Sequence, residues 1–280
     1  MAATSLAIHV PPEANPTNVA ALVCALAREP ERTYTSVQEL LEFANEQNIG
    51  MRTEMQHTAT KLGLIHRADG MIRISPDGLA FASIKEDARG DILHFLMYSS
   101  WSEGNPLEFL PSWSYRTCCD LYWRTPEVHL TDNFLDQLVE EVINEAEITF
   151  HRLGFTEIGT PSFSRKSLSG VHNWLSALNP TVIEDKQFSR RAFCSPELLL
   201  LAIGYVMKDV DGATDTDILL SREKRDAICR LCLLEPEALD RALDWMIPIY
   251  PNVIKPGTSA GYYGRFVRLV KIPTLADVVR

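Results

Sequence analysis

Over the first hundred positions, apolar residues recur at helical spacing. Val19, Leu22, Val23 and Leu26 stand at i, i+3, i+4 and i+7, and Val37, Leu40, Leu41 and Ala44 repeat the same interval. Each set lines one face of a helix. Ser36-Val37-Gln38-Glu39 opens the second helix as a capping box, in which serine and glutamate satisfy the free N–H groups of a helix start. After a turn at Asn48-Ile49-Gly50, Met55, Ala59 and Leu62 form the inner row of a third helix. Its outer face carries Arg52, Thr53, Gln56, His57, Thr60 and Lys61. Apolar residues 62–65 and the run Met71–Ile74 flank Ala68-Asp69-Gly70, which predicts a hairpin. Ser75-Pro76-Asp77-Gly78 then supplies a cap and an N1 proline for a further helix.

The middle of the chain continues in helical period. Leu135, Leu138, Val139 and Val142 predict a helix starting near Asp132, with Asp132, Asp136 and Glu140 in one outer row and Glu141 and Glu145 beside it. Leu168, Val171, Leu175 and Leu178 predict another, preceded by Ser164-Arg165-Lys166-Ser167 and stopped by Asn179-Pro180. From Ser195 the signals of the N-terminal part return in the same order. Ser195-Pro196-Glu197 caps an apolar helix over 198–207, a second runs from Ser221 to about Leu231, and Pro236 opens a third with Leu239, Leu243 and Met246 inside. An apparent hairpin follows, from residues 252–255 through a Gly-rich turn at 257–264 to residues 266–270.

Three helices, a strand pair turning on Asp-Gly and the run Ser75-Pro76-Asp77-Gly78-Leu79-Ala80 resemble the winged helix-turn-helix superfamily over about residues 19–98. The C-terminal repeat of that order resembles a second such unit over about 195–272. The resemblance implies a mainly α protein with small β-hairpin wings: a flexible lead-in at 1–18, a winged helix at 19–100, a helical middle region at 101–194 and a second winged-helix-like domain at 195–280. It also implies that the third helix enters the DNA major groove, which would place Arg52, Thr53, Gln56, His57, Thr60 and Lys61 at the duplex and Arg67 and Arg73 on the wing. A fold is not an activity, and a protein-binding role for the same unit stays open.

Composition bounds these expectations. With 46% apolar and 23% charged residues, the 280-residue chain has enough to bury sizeable cores, and its net charge of −10 excludes a general nucleic-acid coat protein. The charge is unevenly placed. In residues 101–150 acids outnumber bases ten to two, whereas in 151–194 six bases face three acids. Arg165 and Lys166 therefore suggest a second helix start that touches phosphate, with an ordinary surface helix as the alternative. Asp132, Asp136, Glu140 and Glu141 are expected to dock other protein subunits with basic surfaces, or else to form a solvated face. The C-terminal third helix carries Glu235, Glu237, Asp240 and Asp244 against Arg241, so it would be repelled by phosphate; Glu237 and Asp240 are expected to bind protein. Six irregularly spaced cysteines fit reduced thiols in a cytoplasm, and neither a secretory start nor a membrane-length apolar run is read.

Candidate chemistry changes little. Glu184-Asp185-Lys186 resembles the end of a nuclease motif but lacks an acidic metal ligand upstream. Cys229-Arg230-Leu231-Cys232 falls late in a helix, and no second such pair completes a zinc site. The acid-rich loop 209–217 has its glycine in the wrong place for a calcium loop. No metal, cofactor or catalytic set is expected. The expected function is a non-enzymatic, DNA-engaging adaptor subunit of a larger prokaryotic nucleic-acid-acting assembly, with phage defence as one possible setting. Its partners would be double-stranded DNA and other proteins, not a membrane. The alternatives are a free-standing transcription regulator and an enzyme with an unfamiliar site.

Overall fold

The computed structural model describes residues 4–50, 52–155, 158–210, 212, 214–257 and 264–279. In chain order its elements are β1 (Thr4–Ala7), α1 (Pro16–Leu26), α2 (Val37–Glu46), α3 (Thr53–Lys61), β2 (Ile65–Ala68), β3 (Met71–Ile74), α4 (Pro76–Ser83) and α5 (Glu86–Ser99). There follow α6 (Leu110–Trp123), β4 (Glu127–His129), α7 (Asp132–Arg152), β5 (Ile158–Ser162), α8 (Arg165–Leu175), β6 (Ile183–Glu184) and β7 (Gln187–Ser189). The last group is α9 (Pro196–Met207), β8 (Ile218–Leu219), α10 (Arg222–Cys232), α11 (Leu239–Met246), β9 (Ile254–Gly257) and β10 (Phe266–Leu269). The protein is mainly helical and carries small, mostly antiparallel sheets.

Local chemistry explains the N-terminal elements. The Ser36 hydroxyl accepts the Glu39 N–H, while the Glu39 carboxylate takes the backbone N–H and hydroxyl of Thr35 rather than the N–H of the cap itself. Asp69 and Gly70 both adopt positive φ (53° and 77°), as a tight hairpin turn between β2 and β3 requires. Tyr34 exchanges two backbone hydrogen bonds with Ile72 (2.9 and 2.7 Å), so the stretch before α2 pairs with β3. Ser75 caps α4 through the Gly78 N–H at 2.8 Å. A side chain on Gly78 would collide with the Leu64 carbonyl, so glycine lets α4 close on the end of α3.

The C-terminal group centres on α9, whose residues Leu198, Leu199, Leu200, Leu201, Ala202 and Ile203 are all buried. A helix apolar all round has to lie inside, and α9 packs against α5, α10 and α11. β8, β10 and β9 form an antiparallel three-stranded sheet beside it. The Gly-rich turn read between the last two strands falls largely on residues 258–263, outside the described residues, as does Asp211 of the acid-rich loop.

The lead-in at 1–18 is a correction. Residues 4–7 form β1 in parallel with β5, Ile8 and Val10 are fully buried, and α1 already starts at Pro16. Ser114 donates to the Ile8 carbonyl at 2.6 Å and Asn173 to that of Pro12 at 3.2 Å. Gly170 of α8 lies so close to the Val10 carbonyl that no Cβ would fit. Pro11 and Pro12 disfavour a helix before Asn15, but an extended strand and a buried, proline-rich coil need none. The region 101–194, expected as a helical middle region, also holds β4, β7 and β6 as one antiparallel sheet. One continuous apolar core joins all the expected domains, from Leu6 to Val278.

Candidate nucleic-acid interface

The outer face of α3 divides in two. Arg52, Thr53 and His57 are exposed, whereas Gln56, Thr60 and Lys61 are half-buried. The last three have partners within the chain. Gln56 donates to the Thr60 hydroxyl at 2.9 Å, that hydroxyl donates to the Gln56 carbonyl at 2.8 Å, and Lys61 lies 3.4 Å from Glu108. The His57 ring meets Phe109 edge-on at 6.4 Å. The loop before α6 thus packs along the C-terminal half of α3, so the six expected contacts are not equally open. On the hairpin, Arg67 and Arg73 are both exposed, and Arg73 Nε is 2.6 Å from His66 Nε2.

The expected phosphate contacts of α8 and the acidic row of α7 meet each other. Arg165 donates to both carboxylate oxygens of Asp136 at 2.6 Å and to Asp132 at 2.9 Å. Asp136 is held below the usual carboxylate range chiefly by its hydrogen bonds from Arg165. Lys166 faces Glu13 at 3.8 Å. Glu13 is likewise lowered, first by a backbone hydrogen bond and then by the charges of Lys166 and Arg52. The start of α8 and that of α3 therefore border the same stretch of the lead-in. Arg165 is not an unengaged phosphate ligand, and Asp132 and Asp136 do not form an uncompensated acidic row. Glu140 and Glu141 stay exposed, without an ion pair among the described residues.

Two of the C-terminal acids also have partners within the chain. Arg225 grips both oxygens of Asp240 at 2.8 Å, and Arg265 binds Asp244 at 2.6 Å. Glu237 remains exposed and outside any ion pair among the described residues. What α11 does offer is an aromatic residue. Trp245 is 52% exposed and its ring centroid lies 5.0 Å from that of Phe193, itself 39% exposed. The sequence held a signal for this. Trp245 falls out of phase with the buried row Leu239, Leu243 and Met246, and a tryptophan on the outer face of a helix is unusual for solvent alone.

Behind these surfaces lies a buried polar junction with no sequence signature. Asp91 of α5 and Arg191 are both fully buried and pair at 2.7 Å. The second Asp91 oxygen accepts the Ser195 N–H at 2.9 Å, and Arg191 Nε donates to the Cys232 carbonyl at 2.8 Å. His94, one turn along α5, has Nε2 at 2.6 Å from the Leu231 carbonyl, which can only accept. Nε2 therefore carries the proton and Nδ1 accepts from the Tyr115 hydroxyl at 2.7 Å. Burial lowers the His94 pKa to about 4. Cys194, Cys229 and Cys232 are buried beside this junction, and burial pushes the Cys229 thiol up to about 12. The Cys229 thiol, so held protonated, is a poor nucleophile. Glu184 and Lys186 are exposed at the turn between β6 and β7, and no His, Cys, Asp or Glu group among the described residues is arranged to hold a metal ion.

The fold defines a mainly helical protein with small sheets, in which Arg52, Arg67 and Arg73 are exposed near the N-terminus and Trp245 near the C-terminus. Comparison with protein-family models, curated proteins and solved structures gives no match to this chain. No helix among the described residues is long and apolar enough to cross a membrane.

Proposed function

We propose that the protein is a non-catalytic adaptor that touches duplex DNA with its N-terminal unit and holds a partner protein with its C-terminal unit. The observation that carries this reading is the contrast between two similarly ordered units. Each sets three helices before a hairpin, the order of a winged helix. In the first, Arg52 at the start of α3 and Arg67 and Arg73 on the hairpin are exposed, in the positions from which that fold meets a groove and its flanking phosphates. In the second, the corresponding helix carries paired acids and exposed Trp245. Bases already bound to these acids are not free for phosphate, whereas exposed aromatics anchor protein interfaces. Such a division of labour suits a subunit of a larger nucleic-acid-acting prokaryotic assembly.

The test is a salt series of duplex binding, followed by fluorescence anisotropy, with Arg52, Arg67 and Arg73 replaced by alanine singly and together. Each lost phosphate contact should lower the slope of log K against log salt by about 0.9. Equal affinity and slope for the wild type and the triple variant would remove the N-terminal unit from DNA contact.

A further inference from the structure

A cavity of about 190 Å³ opens between α6 and α7, with Trp101 and Trp113 in its wall. Three guanidiniums line it: Arg116 in the middle of α6, Arg124 just beyond its end, and Arg152 at the end of α7. The carboxylates around it are each matched by a base. Glu145 pairs with Arg124 at 3.3 Å, Glu103 with Arg152 at 2.5 Å, and Asp120 with Arg230 at 3.9 Å. Arg116 is left over. It lies 5.4 Å from the centre of the Tyr98 ring and 3.3 Å from the Tyr205 hydroxyl, and it shares the charge of Asp120, one turn along α6, with Arg230.

Arg116, Arg124, Arg152 and Arg230 thus face only Glu103, Asp120 and Glu145, and a half-buried guanidinium that shares its one carboxylate loses hydration that a ring face and a neutral hydroxyl replace only in part. An anion in the cavity would complete the balance. Arg124 and Arg152, whose side chains are 61% and 62% exposed, can turn from their single carboxylates toward it. Three guanidiniums offer more donors than the two oxygens of a carboxylate accept, whereas a phosphoryl group presents three. The volume admits that group but falls below the usual range of pockets for larger organic ligands. We propose that this cavity is a phosphoryl-binding site with Arg116 as its fixed ligand and Arg124 and Arg152 as its closing ones. The phosphoryl group comes either from a free phosphate compound or from a phosphorylated DNA strand end. The free-phosphate arm does not depend on the DNA-binding reading above.

The full chain is titrated by calorimetry with inorganic phosphate, pyrophosphate and acetate, and by anisotropy with duplexes that differ only in a 5′-phosphate. Saturable binding of phosphate or pyrophosphate, but not acetate, is expected for a free source; tighter binding of the phosphorylated duplex alone identifies the strand end. Arg116→Gln should weaken the response about tenfold, the scale of one hydrogen-bonded charge. Glu103→Gln and Glu145→Gln should strengthen it, because they release the closing arginines. Should Arg116→Gln melt early, the exposed Arg124→Gln serves in its place, with a smaller expected loss. No saturable phosphate response together with no preference for the phosphorylated duplex overturns the site, as does an undiminished response in a folded Arg116→Gln variant.

Discussion

Arg165 Nε and Nη2 each lie 2.6 Å from a carboxylate oxygen of Asp136, a two-point ion pair between the first residue of α8 and the second turn of α7. This contact ties the start of α8 to the first turns of α7. A basic helix start and an acidic row, each of which would attract an external partner, satisfy one another inside the chain. Arg165→Ala should therefore raise the Asp136 pKa toward the ordinary carboxylate range, read by NMR titration. An unmoved Asp136 would mean that the pair does not persist in solution.

The buried ion pair should behave differently. Asp91→Asn leaves the Arg191 guanidinium inside the protein without its counter-charge, and it weakens the hydrogen bond at Ser195. A loss of about 3–5 kcal/mol is expected on breaking such a pair, in urea unfolding at neutral pH. Replacing both partners by apolar residues, Asp91→Leu with Arg191→Met, should recover much of that loss, because desolvation of the pair offsets much of its attraction. A double variant no more stable than Asp91→Asn would show that the junction depends on its hydrogen bonds to Cys232 and Ser195 rather than on charge balance.

Acid should unfold the protein through two histidines. Burial lowers both His94 and His172 to about 4, from 6.5 in an open chain. Between those values the unfolded chain binds protons that the folded chain refuses. Stability is therefore full above about pH 6.5 and falls as the pH drops toward 4, by about 1.4 kcal/mol per pH unit for each imidazole. His94→Gln should lower that slope by about one proton's worth. Urea midpoints measured from pH 7 to pH 5 give the comparison, and an unchanged slope would remove His94 from the acid response.

Gly90 sets helix propensity against packing. Alanine favours an α-helix over glycine by about 1 kcal/mol, but a Cβ at position 90 of α5 would run into the Ala177 carbonyl just after α8. Neither backbone can swing aside, so the clash should win, with a net loss of about 1–3 kcal/mol. Gly104→Ala, where nothing lies within 4 Å, is the control and should change stability by no more than about 0.5 kcal/mol. Thermal unfolding of the two variants decides it.

Trp245→Ala should leave the melting temperature within a few degrees of the wild type, since the ring is more than half exposed. A large fall in melting temperature would mark the Phe193–Trp245 pair as part of the core instead of a surface available to a partner.

What the residue order determined by itself is local. Hydrophobic spacing and caps located α1 to α4, α9 and α10 to within a few positions, and Asp69-Gly70 placed the first hairpin, because these signals act between residues only a few positions apart. The exposure of Arg52, Arg67 and Arg73 was legible for the same reason: each stands out of phase with an apolar row. Tertiary structure alone decided which charges remain available. Arg165 finds Asp136 across 29 positions and Arg191 finds Asp91 across 100, and no periodic pattern marks such pairs. It also turned the proline-rich lead-in into a buried strand and coil, since β1 is complete only where β5 and α8 stand beside it. A charged side chain has the same letter whether it faces water, a phosphate or a carboxylate brought to it by folding, and only the folded contacts tell these apart.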